Sequence, residues 1–437
     1  MMLRRKIDQT LINWKNREDK RALLIKGARQ VGKTTSIRQF AKKNYECFVE
    51  LNFERNPELK EIFSGSLEPK NLYLNMSAAG LGPFKKNKTV VFFDEIQSCP
   101  QARTAIKFLV EDGRYDYIES GSLLGINYRE VSSYPVGFEE YVSMYPFDFE
   151  EFLWANNIGD DVVSLLKDCF FQKKAVPAFI QENIMKLYQQ FLIVGGMPYV
   201  VQKYIDSYDI NEVIRLQENI IQSYRDDIAK YAEGMKTKAK EVFDAIPEQL
   251  NKKNQRFFFS KLSGEPTLRS YEGAITWLND AGVAKMCCNV TSPELPFAFN
   301  QKRNIFKLFI CDTGLLTAMS YGRIQKHLLK GELSINQGSI VENNVAVDFI
   351  KKGFPIYYFD CKKPKQMEID FLIPYQGHVL PIEVKSGDNY EAHPSITRFM
   401  DTYDNIEEGF IFCKGNVKAV GKLTYYPLYM AMFLENR

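Results

Sequence analysis

Two groups of residues in this sequence have the types and spacing that chemistry requires. The first is GARQVGKTT, residues 27–35, directly after the apolar run ALLIKG. Gly27, Gly32, Lys33 and Thr34 make the Gly-x-x-x-x-Gly-Lys-Thr pattern of a Walker A loop. Its glycines let backbone N–H groups curl around phosphates, and a following helix adds the positive end of its dipole. On that reading Gly27, Ala28, Arg29, Gln30, Val31, Gly32, Lys33, Thr34 and Thr35 bind the phosphates of ATP. Lys33 pairs with the β and γ phosphates and the Thr34 hydroxyl binds Mg²⁺. A chance glycine-rich turn is the alternative for the loop taken alone. The run TVVFFDE at 89–95 weighs against chance, because a buried strand ending in an acidic pair is the Walker B pattern. Asp94 would hold Mg²⁺ through water, and Glu95 would polarise the attacking water.

The second group lies in MEIDFLIPYQGHVLPIEVK, residues 367–385. Glu383 and Lys385 are two apart, so on a strand they share a face, while Ile382 and Val384 take the opposite, apolar one. Asp370 falls on the partner strand of a hairpin turned at YQGH. Two carboxylates and a lysine on one face are what metal-assisted phosphodiester cleavage needs. Asp370 and Glu383 would hold Mg²⁺, and Lys385 would orient the water or stabilise developing charge. The bland counterpart is a hairpin with an ion-paired Glu–Lys face.

These residues need elements to carry them. Apolar strands at Ala22–Lys26, 47–53, 89–95 and 115–122 alternate with helices, which predicts a parallel sheet covered on both faces, with 141–149 as its fifth strand. The fourth strand ends at Ser120-Gly121-Ser122. Ser120 or Ser122 is the expected γ-phosphate sensor, an ordinary small-residue turn being the other reading. Arg29, Arg103, Arg114 and Arg129 are candidate arginine fingers. From about residue 150 the pattern turns helical, interrupted sharply by GGMP at 195–198. Residues 256–286 read as helix, turn, helix and strand, with Thr267 as an N-cap; followed by LFICD, this is a winged-helix layout with Arg269 on the second helix. After residue 331 come a helix at 338–353 and further strands. The expected domains are therefore 1–150, 151–330 and 331–437.

Composition bounds the rest. The chain has 437 residues, long enough for two or three domains, and a net charge of +3, too small to argue for or against nucleic acid. Local cations at Lys252, Lys253, Arg256, Lys362, Lys363 and Lys365 are candidate phosphate contacts or plain solvated surface. Eight cysteines without a CxxC pair and only three histidines give no structural zinc pattern, and scattered thiols fit a reducing compartment. No apolar run approaches the ~20 residues of a membrane span. A cytoplasmic protein without a membrane partner is expected.

In ALLIKGARQVGKTTSIRQFAKK, FVELNF, VVFFDEIQSCPQA, SGSLLGI, YPFDFEEFLW, GGMP, FICDTGLL and EIDFLIP…IEVKSG, the chain resembles a family of prokaryotic AAA-type ATPases. These carry a C-terminal domain of unknown function that looks like a PD-(D/E)XK nuclease fold. The resemblance implies an α/β architecture: a P-loop AAA-type parallel sheet, then a helical and winged-helix segment, then a PD-(D/E)XK nuclease-like α/β domain. It also implies Glu342, on the preceding helix, as a further acidic metal ligand. Near the sensor the family pattern has a small residue where this chain has Glu119. The expected function is an ATP-binding, ATP-hydrolysing switch with Mg²⁺, fused to a DNA-directed module with nuclease potential, acting with a protein partner or as a homo-oligomer. The alternative is a signalling or interaction ATPase whose C-terminal domain binds nucleic acid or protein without cleaving.

Overall fold

The structure, a computed structural model, describes residues 3–121, 135–232, 234–252, 256–259, 267–322, 325, 337–361 and 366–436. The chain divides into two compact units, Met1–Tyr145 with Asp280–Gly282, and Pro146–Asn279 with Val283–Arg437.

In the first unit, β1 (Ala22–Lys26), β2 (Cys47–Asn52), β3 (Thr89–Asp94), β4 (Asp116–Gly121) and β5 (Glu139–Ser143) form a parallel sheet in the order β2-β3-β4-β1-β5. All six residues of β3 are buried, as a central parallel strand covered on both faces requires. The rings of Phe53, Phe93 and Tyr117 stack in a row across one face, with centroids 6.2 and 6.3 Å apart. Because β4 lies between β1 and β3, its C-terminal end sits between the two strands that carry the candidate nucleotide residues.

The fifth strand is shorter and earlier than 141–149. It ends at Ser143, because Pro146 lacks an N–H for the ladder and Asp148 caps a new helix, Phe149–Ala155, by accepting from the Glu151 amide.

The second unit opens with helices, including Ala178–Val194, Pro198–Ser207, Ile210–Tyr231 and Lys236–Leu250. GGMP makes the break between the first two, and packing demands its glycines. Gly195 has φ +74°, and a Cβ there would lie 2.4 Å from Asp312 Oδ1. A Cβ on Gly196 would meet the Phe147 carbonyl oxygen at 2.1 Å. The Asp312 carboxylate accepts from the amides of Gly196 (2.6 Å) and Leu315 (2.9 Å), so it joins GGMP to FICDTGLL and starts the helix Thr313–Tyr321.

One sheet of eight strands follows: β6 (Ala284–Val290), β7 (Gln301–Ile310), β8 (Tyr357–Cys361), β9 (Met367–Tyr375), β10 (His378–Lys385), β11 (Gly409–Cys413), β12 (Lys418–Val420) and β13 (Leu423–Pro427). Its order is β12-β13-β11-β10-β9-β8-β6-β7. The boundary drawn at residue 330 thus falls between strands of a single sheet: the β6–β7 hairpin pairs with β8 through β6.

The helix-turn-helix reading needs correction at its start. Residues 256–258 are not helical; the Phe257 amide donates to the Phe306 carbonyl at 2.8 Å, along β7, and Phe257 stacks on Phe306. Phe257 and Phe259 both pack on Phe306 of β7, which buries apolar rings against the sheet. The second helix is present as Leu268–Asp280, ahead of β6. Most of the first falls outside the described residues.

Candidate functional site

The phosphate loop lies where β1 hands over to the helix Lys33–Asn44. Gly32 has φ +93° and Gln30 φ +63°, the left-handed turns that let successive amides converge. Gly27 must be glycine for a steric reason: a Cβ there would lie 2.2 Å from the Met144 carbonyl oxygen. The buried Lys33 side chain turns back under the loop, its Nζ donating to the carbonyls of Gly27 (2.9 Å) and Ala28 (2.8 Å). Burial lowers its pKa to about 8, against the opposing pull of Glu95 and Asp94.

Asp94, at the end of β3, gathers donors from three directions. Thr34 Oγ1 lies 3.0 Å from its Oδ1, Asn52 Nδ2 lies 2.7 Å from its Oδ2, and the Ser120 hydroxyl donates to Oδ1. The sheet dictates this meeting. Asn52 is the register partner of Asp94 on β2, and Ser120 ends β4 on the other side. Burial pushes the Asp94 carboxyl above the usual carboxylate range; the Ser120 donor draws it back, and Glu95 adds to the rise. A buried carboxylate beside a threonine hydroxyl at a phosphate loop suits a Mg²⁺ ion, so Thr34 and Asp94 fit the cation that ATP would bring. Glu95 follows in a left-handed conformation, φ 54° and ψ 50°, its Oε2 accepting from Gln97 Nε2 at 2.7 Å. Of the other loop residues, Ala28 and Val31 are buried, Thr35 is exposed, and Arg29 Nη2 lies 3.8 Å from Glu54 Oε1.

Of the two candidate sensors, Ser120 is joined to Asp94, while Ser122 lies outside the described residues. Sequence reasoning missed Asn52; the clue was a polar residue ending β2 opposite Asp94.

The arginine candidates are less free than their spacing implied. Buried Arg103 makes a two-pronged pair with Glu139 at 3.1 and 3.2 Å, and Arg114 grips Asp112 in the same way. Both are committed within their own unit. Arg129 is outside the described residues, as are Lys253 and Lys362–Lys365. Glu119, where the chain departs from the family pattern, is completely buried on β4 near Glu139 and Arg103. Burial and then the charge of Glu139 drive its carboxyl well above the ordinary range, and Arg103 opposes them.

In the second unit, β9 and β10 pair antiparallel as expected, and the register at Ile382 and Phe371 brings Glu383 opposite Asp370. Both are engaged. Asp370 Oδ2 accepts from the Val384 amide at 2.8 Å. Glu383 Oε1 accepts from the Ile396 amide at 3.0 Å, and its Oε2 lies 2.8 Å from Lys385 Nζ. Burial and the neighbouring Asp370 raise the Glu383 carboxyl, and Lys385 opposes them. Glu342 lies on the helix Gly338–Lys351. It is buried against Lys307 of β7, with 2.8 Å between Nζ and Oε1. Among the described residues no group of three or more His, Cys, Asp or Glu side chains converges to hold a metal ion. Of the expected ligand set, Asp370 and Glu383 come together across the hairpin, while Glu342 pairs with Lys307. Lys307 was the residue sequence reasoning missed, since a lone lysine in QKRNIFKLFI carries no motif.

The parallel sheet, the glycine loop and the Asp94 cluster define the first unit as a P-loop ATPase domain of the AAA type. Residues 19–153 match the family model described as an AAA domain. Residues 185–326 match a domain of unknown function, DUF8612, and 337–429 another, DUF4143. No curated protein matches the chain. Among solved structures, a Walker-type ATPase of Pyrococcus abyssi is similar at 13% identity and TM-score 0.41, over 73% of this chain and 96% of that one. The Orc1 protein of Aeropyrum pernix in complex with DNA aligns at 14% identity and TM-score 0.27, over 75% and 91%. The RuvB branch migration motor of Thermotoga maritima aligns at 13% identity and TM-score 0.29, over 65% and 89%. No helix among the described residues is long and apolar enough to cross a membrane.

Proposed function

We propose that the chain is an ATP-hydrolysing, Mg²⁺-dependent switch whose second unit is directed at DNA. The observation that carries the first half is the convergence of Thr34, Asn52 and Ser120 on Asp94 at the mouth of the phosphate loop. Loop amides and Lys33 bind the β and γ phosphates. Thr34 and Asp94 would hold Mg²⁺, which would neutralise charge on the phosphate oxygens. Glu95 orients and polarises the attacking water, and Ser120 reports loss of the γ-phosphate through its bond to Asp94. Making and losing these contacts is the event that drives the switch.

The DNA half rests on the helix Leu268–Asp280 followed by the β6–β7 hairpin, with exposed Arg269, Lys302 and Arg303 available to phosphates. A second reading, binding without cutting, is favoured by one contact: Glu342 is paired with Lys307. The test is ATPase and cleavage assays on the wild type, Lys33→Ala and Asp370→Ala with several DNA and RNA forms. Loss of hydrolysis in Lys33→Ala supports the switch. Cleavage that vanishes in Asp370→Ala while hydrolysis persists supports a nuclease. DNA-stimulated hydrolysis without cleavage supports the binding reading, and no response to any nucleic acid rejects the DNA half.

A further inference from the structure

Two of the three carboxylates that the sequence grouped for a metal in the second unit pair with a cation of the chain itself. Lys307 points from β7 into the protein with 1% of its side chain exposed, and its Nζ lies 2.8 Å from Glu342 Oε1. The face of the Tyr358 ring lies 4.9 Å from the same Nζ, a cation–π contact. Lys385 Nζ stands 2.8 Å from Glu383 Oε2. Asp370 lies within the field of both ammonium groups and is further held by the Val384 amide. Two ammonium groups carry the same charge as one divalent ion. A lysine so enclosed is kept in the interior only by carboxylates that it neutralises.

We propose that Lys307 is the resident cation of this carboxylate cluster. Its ammonium supplies to Glu342 and Asp370 the positive charge that a divalent metal would otherwise supply, which closes the cluster to Mg²⁺ and Mn²⁺. The inference rests on the binding-without-cutting reading of the second unit. The ligand of that unit then meets a surface whose interior charges are balanced without metal.

The experiment uses the full chain carrying Thr34→Ala and Asp94→Ala, so that the phosphate loop contributes no ion, with free Mn²⁺ followed by electron paramagnetic resonance. This background protein is expected to bind Mn²⁺ no differently after Asp370→Asn. Adding Lys307→Met is expected to create a Mn²⁺ site at least about 10-fold tighter. That gain, and the Mn²⁺-dependent rise in melting temperature accompanying it, disappears when Glu342→Gln is added. Mn²⁺ binding in the background protein that weakens on Asp370→Asn overturns the proposal, as does a folded Lys307→Met chain without the gain. Where Lys307→Met does not fold, the response of the background protein to Asp370→Asn decides alone. Cleavage is scored separately in the wild type: cutting that needs no divalent ion sinks the non-cutting reading and leaves the resident cation standing.

Discussion

Thr34 Oγ1 lies 3.0 Å from Asp94 Oδ1, although 60 positions separate the two residues. The contact spans the width of β4, the strand that intervenes between β1 and β3. Asn52 and Ser120 complete it from the flanking strands. They hold the carboxylate rather than the ion. Replacing either by alanine should raise the Mg²⁺ concentration for half-maximal ATPase activity by about 10- to 100-fold. A Mg²⁺ titration at saturating ATP checks this, and an unchanged midpoint with a lower plateau would assign them another role.

The pKa of Lys33, lowered to about 8, makes nucleotide binding pH-dependent. Phosphates placed beside the amine raise that pKa, so above pH 8 binding must take up a proton. Affinity for ATP is expected to be constant below about 8 and to fall above it, by up to about tenfold per pH unit. Without nucleotide the sign reverses. Between about 8 and the ordinary 10.5 the folded chain holds fewer protons than the unfolded one, so this group adds stability as pH rises. Titration calorimetry at pH 7 to 9.5 tests the binding slope, which Lys33→Arg should abolish.

Glu119 should behave as a buried acid rather than an anion. Its folded pKa stands above the unfolded value near 4.5, so through this group stability is full below that value and declines as pH rises past it. Glu119→Gln keeps the shape and removes the titration. The melting temperature of the variant relative to wild type should therefore increase as pH rises above 4.5. A difference that is flat with pH would mean Glu119 is ionised and paired.

Two glycines should fail in different ways. At Gly196 a methyl group has no space against the Phe147 carbonyl, so Gly196→Ala should cost about 3 kcal/mol of stability, read by denaturant unfolding. At Gly27 the obstacle is the Met144 carbonyl beside the phosphate loop. Gly27→Ala should lose ATP binding by calorimetry while keeping the helical circular dichroism of the wild type.

The first unit was legible because its signals are local. A glycine loop between an apolar strand and a helix, and an acidic pair closing a second apolar strand, each reveal their role within ten residues. The strand pairing of β9 with β10 was legible for the same reason, as a hairpin alternating in period two. Where boundaries slipped, a competing local device had won: the Asp148 cap took residues from the fifth strand, and the β7 surface took Phe257 from a helix.

What needed the tertiary structure was every pairing across distance. Strand order is not written in any one strand, so Asn52 and Ser120 could meet Asp94 only once β2 and β4 lay on either side of β3. The continuity of β6 with β8 joins segments on either side of residue 330 into one sheet. Glu342 and Asp370 have the side chains of metal ligands whatever the fold. Whether they hold a metal depends on which cation the chain brings between them, and Lys307 arrives from a strand 35 residues before Glu342 with no motif to announce it. Local sequence determines what a residue can do, because chemistry resides in the side chain; the fold decides what it does, because a charge acts on whatever lies within a few ångströms of it.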